Sequence, residues 1–330
     1  MIRRVWRVFA SIVTLVVICL AALELIARFG LGLGDPPLSQ NHPTIEYMLQ
    51  PGRTYHRFGN EYRVNAYSMR SEAFPHAKTD PDELRVMVFG DSIINGGNLT
   101  DQHELATERL RTRIHRASGR NVVVGNISAG SWGPPNQLAY LRQFGLFDAD
   151  LVVLVLGVAD LEDKPKHKLV AGFSSSHPSS TPPTALHEAW YRYLPQYVPL
   201  LQASSEEPPT LRTHANQRLE YQQPTLALRT FCEEATARGV PVVLALHPSR
   251  QAFEDGDQSK ALEAFAFTEA SVKVRLVDLL PEYRKAARGV NVYRDDLHLN
   301  AAGQRVLADA LQPVIEQRLG LEHTSDPSTQ

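Results

Sequence analysis

Cysteine and uncompensated charge are both scarce in this chain. It has two cysteines among 330 residues, Cys19 in an apolar N-terminal segment and Cys232 in a predicted helix. They form neither a disulfide framework nor a Cys-x-x-Cys metal site. The 34 Lys and Arg residues nearly balance the 36 Asp and Glu residues, for a formal net charge of −2. Because nucleic-acid binding relies on a basic surface, we expect no nucleic-acid partner.

Charge and proline are wholly absent from residues 8–23. Together with its flanks, this run predicts a helix over about residues 5–29, long enough for the ~20 residues that cross a bilayer. Three basic residues precede the run, Arg3, Arg4 and Arg7. Positive charge on that side keeps the N-terminus in the cytoplasm. The sequence therefore predicts a single-pass protein of the cell membrane whose remaining chain lies outside the cytoplasm, in the periplasm or beyond the cell.

A cleaved signal peptide would have a similar apolar run. Such a peptide ends in small residues at its cleavage site, and no convincing small-x-small site precedes the charged end of the run at Glu24. We therefore expect residues 1–29 to be retained as an N-terminal signal-anchor, a transmembrane helix.

The next segment, residues 30–83, is rich in Pro and Gly and has little helical periodicity. It predicts a juxtamembrane lead-in with a small β-hairpin inside residues 55–67. From residue 84 to residue 319, apolar strands alternate with amphipathic helices, which predicts the main domain. The polar residues 320–330 predict a disordered tail.

An insertion rich in Ser, Pro and Thr interrupts this domain at about residues 164–214. It contains the aromatic cluster Trp190-Tyr191-Arg192-Tyr193. Two interpretations stay open. The insertion is either a flexible surface segment with one short helix or a lid whose aromatic rings stack on a sugar.

Five apolar runs predict the strands of the main domain: residues 84–89, 122–124, 151–156, 240–246 and 272–277. Because helices alternate with them, we expect an α/β fold, a three-layer α/β/α sandwich around a five-stranded, mostly parallel sheet. Chemistry in such sheets lies at the carboxyl ends of the strands. The polar or glycine residues that follow the five strands are, in order, Ser92, Gly130, Asp160, His247, and the pair Asp295 and His298.

Two of these strand ends carry the strongest chemical signal. Gly-Asp-Ser92 ends the first strand, and Asp295-x-x-His298 lies near the C-terminus. A serine hydroxyl becomes a good nucleophile when a base takes its proton and a third group orients that base. We predict that Ser92 is the nucleophile, His298 the general base and Asp295 the orienting acid, with Asp296 as the competing acid.

The chain resembles the SGNH/GDSL hydrolase family over roughly residues 84–318. The resemblance rests on the Gly-Asp-Ser block, on the block that ends at Gly130, and on Asp295-Asp296-Leu297-His298-Leu299-Asn300. Residues 62–70 also resemble a lead-in of membrane-anchored, exopolysaccharide-associated members. The resemblance implies a flavodoxin-like SGNH fold, acyl chemistry on Ser92, and neither a cofactor nor a metal. Ile94 stands where a Gly-x-Ser-x-Gly elbow needs glycine, which argues against the α/β-hydrolase fold.

In this family pattern, the oxyanion hole uses the backbone N–H groups of Ser92 and Gly130 and an Asn side chain after the third strand. This chain has Ala159 at that third position, which offers no side-chain donor. Three asparagines could replace it, Asn95, Asn98 and Asn126. Asp160 and His247 are candidate substrate-binding residues, with a capping and a structural role as their alternatives.

Together these features predict an exported, membrane-anchored serine esterase. Its partner would be an acylated carbohydrate, such as a surface polysaccharide, or another small ester. A polysaccharide O-acyltransferase could use the same triad and the same acyl-enzyme. A non-catalytic carbohydrate-binding scaffold is a second alternative, which Ala159 favours and the three triad residues oppose.

Overall fold

The apolar N-terminal run forms one long helix in the computed structural model, which describes residues 2–198, 208–210, 218–272 and 274–321. Helix α1 spans Ile2–Leu25 and continues as a π-helical turn over Ile26–Gly30. The combined span of 29 residues has a mean hydropathy of 2.6 in its most apolar window, and none of that window is buried. Its length and composition suffice to cross a membrane, although a signal sequence shares both properties.

Two antiparallel hairpins follow the helix. The first pairs β1 (Ser39–His42) with β2 (Glu46–Leu49), and the second pairs β3 (Arg53–Arg57) with β4 (Asn60–Val64). The second is the hairpin predicted within residues 55–67. Ile45, Tyr47 and Met48 of the first hairpin belong to the main hydrophobic core. The lead-in therefore packs onto the main domain.

The central sheet has five parallel strands in the order β6-β5-β7-β8-β9. They are β5 (Leu84–Gly90), β6 (Val122–Ser128), β7 (Leu151–Leu156), β8 (Val242–Leu246) and β9 (Arg275–Asp278). Strands β5, β7 and β8 are buried along their whole lengths. Strands covered on both faces by helices have this continuous apolar character.

Helices cover both faces of this sheet. The buried cluster on one face includes residues of α4 (Pro134–Phe144), α7 (Pro224–Ala237) and α9 (Ser259–Val272). The cluster on the other includes residues of α3 (Ala106–Ser118), α10 (Leu280–Ala287) and α11 (Ala301–Arg318). The predicted three-layer α/β/α sandwich is confirmed.

Two strand boundaries differ from the sequence prediction by three or more residues. Strand β6 continues to Ser128, because Asn126 is buried within the strand and does not form a turn. Its side-chain amide donates to the Ile94 carbonyl and to the Thr107 hydroxyl. Strand β9 begins at Arg275, since α9 extends to Val272. Helices α8 (Arg250–Asp255), α9 and α10 had no sequence prediction.

The insertion contributes α5 (Ala185–Glu188), a π-helical turn (Ala189–Tyr193) and α6 (Leu194–Tyr197). These three form one continuous helical segment, named here the insertion helix. Part of the predicted insertion, residues 199–207 and 211–214, lies outside the described residues, as do residues 215–217 and most of the predicted disordered tail, residues 322–330.

Candidate active site

Ser92 is the first residue of a short helix that follows β5 directly. This helix, α2, spans Ser92–Asn95, and the Asp91 side chain caps it by accepting a hydrogen bond from the N–H of Ile93 at 2.8 Å. A Cβ at Gly90 would lie 2.7 Å from the Ile94 side chain. The tight packing of strand against helix therefore requires glycine before the Asp-Ser pair.

The loop before α11 brings His298 to this serine. His298 Nε2 lies 3.0 Å from Ser92 Oγ, and His298 Nδ1 lies 2.9 Å from Asp295 Oδ2. Asp295 Oδ1 also accepts the backbone N–H groups of Leu297 and His298, at 2.9 and 2.7 Å. The backbone of the loop thus fixes the Asp295 carboxylate, and the carboxylate orients the His298 ring. This is the geometry that lets a histidine take a serine proton. Asp296 is fully exposed, and the charged group paired with it is Arg250 at 3.9 Å.

Two buried polar side chains hold the serine turn in place. Gln304 of α11 donates to the carbonyl of Ile93 at 2.7 Å and accepts the N–H of Ala106 at 3.0 Å. Arg70 is fully buried and donates to the carbonyls of Asn95, Gly97 and Thr100. Sequence analysis missed both roles. The only signal for Arg70 was its place at the end of the lead-in motif, and Gln304 had none.

The triad opens into a cavity of about 350 Å³ that three parts of the chain enclose. The main domain supplies Ser92, Asn95, Gly97, Asn98, Ala129, Gly130, Ser131 and His298; the lead-in supplies Pro37, Ser39, Tyr47, Leu49 and Tyr62; the insertion supplies Ser176, His177 and Arg192. The lead-in was not predicted to reach the nucleophile, and the insertion was expected there only in its interpretation as a lid. Ten of the sixteen lining residues carry a hydroxyl, amide or imidazole group.

Lead-in and insertion meet at Tyr47. Its hydroxyl donates to the carbonyl of Gly130, and its ring contacts the His177 ring at a centroid distance of 4.6 Å. Trp132 Nε1 donates to the Tyr47 carbonyl at 2.9 Å. Tyr47 therefore fixes the peptide plane on the carbonyl side of Gly130, whose own N–H is a candidate oxyanion donor.

The three asparagines proposed to replace the missing donor differ in what they bind. Asn126 Nδ2 donates to the Ile94 carbonyl and to Thr107 Oγ1, away from the cavity. Asn95 Nδ2 donates to the carbonyl and hydroxyl of Ser128 at 3.2 and 3.4 Å. Asn98 lines the cavity, and among the described residues its side chain has no hydrogen-bond partner. Ala159 is exposed and does not line the cavity.

Asp160 and His247 are not brought to this cavity. Asp160 is buried, and its Oδ2 accepts the Gly157 N–H at 2.6 Å, closing the turn after β7. His247 Nδ1 pairs with the Tyr283 hydroxyl at 3.0 Å, and burial lowers the pKa of His247 to about 3. Both contacts fit the capping and structural alternatives.

Carboxylates near the triad have opposite pKa shifts. Burial raises the pKa of Asp295, but hydrogen bonds from the His298 and Leu297 N–H groups and from the His298 ring outweigh it and lower the pKa to about 2. Burial raises the pKa of Asp91 from 3.8 to about 6 despite the Ile93 N–H and nearby His298, which lower it. Burial, and then the charge of Asp91, raises the pKa of Asp160 well above its usual value.

Among the described residues, no group of three His, Cys, Asp or Glu side chains could hold a metal ion.

The pattern of the GDSL-like lipase/acylhydrolase family matches residues 88–306, which is more than half of the chain. The chain belongs to this family. It is an enzyme that hydrolyses ester bonds, and the matched segment contains Ser92, Asp295 and His298. No curated protein matches the sequence.

Several solved structures are similar to it at low identity. TesA is 18% identical to this chain. The alignment covers 71% of this chain and 99% of the TesA chain, with a TM-score of 0.43. The psychrotrophic esterase EstA from Pseudoalteromonas sp. is 15% identical, with coverages of 72% and 98% and a TM-score of 0.41. A variant of the acetyl xylan esterase Axe2 from Geobacillus stearothermophilus is 13% identical, with coverages of 72% and 95% and a TM-score of 0.41.

Proposed function

We propose that this family member is a membrane-anchored serine esterase that cleaves acyl esters of a carbohydrate through Ser92, His298 and Asp295. The observation that carries the proposal is the continuous contact from Asp295 Oδ2 to His298 Nδ1 and from His298 Nε2 to Ser92 Oγ, at 2.9 and 3.0 Å. His298 takes the Ser92 proton as Oγ attacks the ester carbonyl. The same proton then passes to the leaving alcohol, and water resolves the acyl-enzyme by the reverse sequence.

Negative charge develops on the carbonyl oxygen during this attack. The N–H of Ser92 at the start of α2 and the N–H of Gly130 are the backbone donors proposed for it. A donor in such a hole is worth about 2.7–4 kcal/mol in the transition state. Asn98, whose amide lies at the cavity wall, is our candidate for a third donor.

The polar cavity walls support an alcohol rich in hydroxyl groups as the leaving group. Tyr62, Asn98 and His177 offer donors and acceptors of the kind that sugar hydroxyls bind. A volume of about 350 Å³ fits an acyl group with one or two sugar rings. The proposed substrate class is therefore a short acyl ester on a carbohydrate, such as a surface polysaccharide.

We further propose that α1 is a retained anchor, which leaves the catalytic domain outside the cytoplasm. Glu24, near the end of α1, accepts the N–H groups of Ala185 and Leu186 at 2.8 and 2.9 Å and so caps the insertion helix. Ala27 is buried against Ala185 in a small apolar cluster. Cleavage beyond the helical span Ile2–Gly30 would remove both contacts, whereas a signal peptide has no part in the mature fold.

A fluorophosphonate label tests the mechanism, because it reacts with an activated serine. The full chain in detergent should be labelled at Ser92, as mass spectrometry would detect, and should hydrolyse p-nitrophenyl acetate. Ser92→Ala should lose both the label and the hydrolysis and keep its Tm within a few degrees. Ser118→Ala, whose hydroxyl donates only to the Ile114 carbonyl, is the matched control and should behave as the parent protein. Absence of label on a folded parent protein would favour a binding scaffold and overturn the proposal.

A further inference from the structure

Large apolar side chains are exposed where α1 meets the rest of the protein. Phe29 is 78% exposed, Leu31 46% and Trp190 61%. Phe29 and Leu31 lie at the end of the apolar helical span, and Trp190 lies on the insertion helix beside it. Clustered exposed apolar groups mark surfaces that contact another apolar phase.

The insertion helix is fastened to the end of α1 by specific contacts. Besides the Glu24 cap, Ala185, Leu186 and Ala189 pack against Ala27 and Leu33. Since Trp190 directly follows Ala189, it stands beside the membrane-proximal end of α1. The junction is thus a packed structure rather than a loose tether.

A buried ion pair fixes this junction to the lead-in. Arg57 and Glu188 are both fully buried and form a two-pronged pair, with Nη1–Oε2 at 3.0 Å and Nη2–Oε1 at 2.5 Å. Glu188 also accepts the Gly34 N–H at 2.6 Å, and Arg57 donates to the Gly32 carbonyl and the Tyr193 hydroxyl. Charged groups buried in this way hold their segments in one arrangement, because any displacement leaves a charge unpaired.

The spacing of aromatic side chains matches a bilayer. Helical rise places Trp6 and Phe29 roughly 35 Å apart, close to the ~30 Å hydrocarbon core with its inner interfacial edges. Tryptophan is enriched at both interfaces of a membrane. This spacing puts Trp6 at the cytoplasmic interface, next to the arginines, and Phe29 at the opposite interface.

We propose that Phe29, Leu31 and Trp190 form an interfacial surface that binds the headgroup region of the bilayer that α1 spans. This contact holds the catalytic cavity at the membrane, where its substrate is an ester borne by a membrane-associated molecule. The inference rests on the retained anchor of the proposed function.

The cavity lies close enough to that surface for this role. Pro37, in its wall, is three residues from Gly34, so at most about 11 Å of chain separates them. Gly34 packs against the Arg28 guanidinium. Arg192, another wall residue, lies two residues after Trp190 on the insertion helix. One residue of the exposed apolar group, Trp190, and one residue of the cavity wall, Arg192, therefore lie on the same helical segment.

Depth-dependent fluorescence quenching tests the surface. The full chain is reconstituted in phosphatidylcholine vesicles whose acyl chains carry bromine near the headgroups or near the bilayer centre. The difference between the parent protein and Trp190→Phe isolates Trp190, and the difference from Trp6→Phe isolates Trp6. We expect shallow bromines to quench Trp190 at least twofold more than deep ones. Trp132, which is buried in the domain, should stay unquenched in both variants.

The outcomes separate this inference from the anchor. Quenching of Trp6 without quenching of Trp190 would overturn the interfacial surface alone. Absence of quenching at both positions would overturn the anchor and this inference with it. Fluorophosphonate labelling of Ser92 is independent of either result.

The substrate class is tested by an activity ratio. Trp190→Asp puts a charge on the surface but lies outside the cavity wall, so turnover of soluble umbelliferyl acetate should stay within twofold of the parent protein. Turnover of umbelliferyl acetate joined to a hexadecyl chain in vesicles should fall about fivefold or more. An equal response of the two esters would overturn the claim about a membrane-borne substrate.

Discussion

Single residues set the chemistry in this protein, and Asp295 is the clearest case. Its carboxylate contacts the His298 ring, whereas Asp296 projects fully into solvent. We predict that Asp295→Asn lowers kcat for p-nitrophenyl acetate by about 10³–10⁴, because an amide favours the wrong histidine tautomer, as the same substitution does in serine proteases. Asp296→Asn, the matched control, should stay within twofold of the parent protein. A larger loss in the Asp296 variant would contradict the assignment of the acid.

The third oxyanion donor is a second question at this scale. Asn98 is the one of the three candidate asparagines whose amide is not already bonded within the described part of the chain. We predict that Asn98→Ala lowers kcat by about 10²–10³ with little change in KM, the expected cost of one donor. Ala159→Asn should change nothing, because the exposed Ala159 does not line the cavity. Steady-state kinetics on one activated ester decides between them, and a gain of activity in Ala159→Asn would contradict this placement.

Sequence motifs predicted the three residues of the proposed triad, which contact one another in the structure, but not the residues that support them. The spacing of Asp295 and His298 is local, so a single loop conformation fixes it and a short motif predicts it. Arg70 and Gln304 act on the serine turn from distant parts of the chain. Their partners are backbone carbonyls, which leave no pattern in the sequence.

At the scale of elements, the insertion helix joins α1, the lead-in and the cavity. We predict that Glu188→Gln costs about 3–5 kcal/mol, because the guanidinium of Arg57 stays buried without its partner. This corresponds to a fall in Tm of roughly 10 °C, measured by thermal unfolding in detergent. KM should rise as well, since the same helix carries Arg192 into the cavity wall.

A surface pair provides the control for this prediction. Glu233 and Arg229 lie 3.6 Å apart with half-exposed side chains, so Glu233→Gln should change the free energy of unfolding by less than about 0.5 kcal/mol. The double variant Arg57→Met, Glu188→Met removes both buried charges and should recover part of the lost stability. Equal Tm values for Glu188→Gln and Glu233→Gln would show that the buried pair is not what holds the helix.

Elements with regular apolar patterns were predicted well, and those defined by tertiary contacts were not. Strand β7 and helix α11 have the predicted bounds, since β7 is apolar throughout and α11 has a periodic core face and is capped by Asn300. The insertion helix contains a π-helical turn, and only the interpretation of the insertion as a flexible surface segment predicted a short helix there. It forms where Glu24 and Arg57 satisfy its polar groups, and sequence patterns contain no such information.

For the whole molecule, the buried carboxylates beside the triad determine how stability depends on pH. The pKa of Asp91 is about 6 in the folded protein and near 3.8 when it is exposed. Between pH 3.8 and pH 6, Asp91 therefore keeps its proton in the folded state and has lost it in the unfolded state. Stability from this group is complete below about pH 4 and disappears as pH rises through 6, a loss of at most about 3 kcal/mol. Asp160, whose pKa is also raised, acts in the same direction.

Asp91→Asn removes this titration while keeping an oxygen that can accept the Ile93 N–H. We predict that the difference in Tm, variant minus parent protein, is zero or slightly negative at pH 4. This difference should rise by several degrees between pH 4 and pH 8. Asp295→Asn is the contrasting variant. The pKa of Asp295 is about 2, so this carboxylate stays ionised across the range, and the Tm difference should be constant between pH 5 and pH 8. Thermal unfolding in a non-ionic detergent at half-unit pH steps measures both curves. Parallel curves for the two variants would mean that Asp91 is ionised at all these pH values, and that its burial beside Ser92 does not control the pH dependence of the fold.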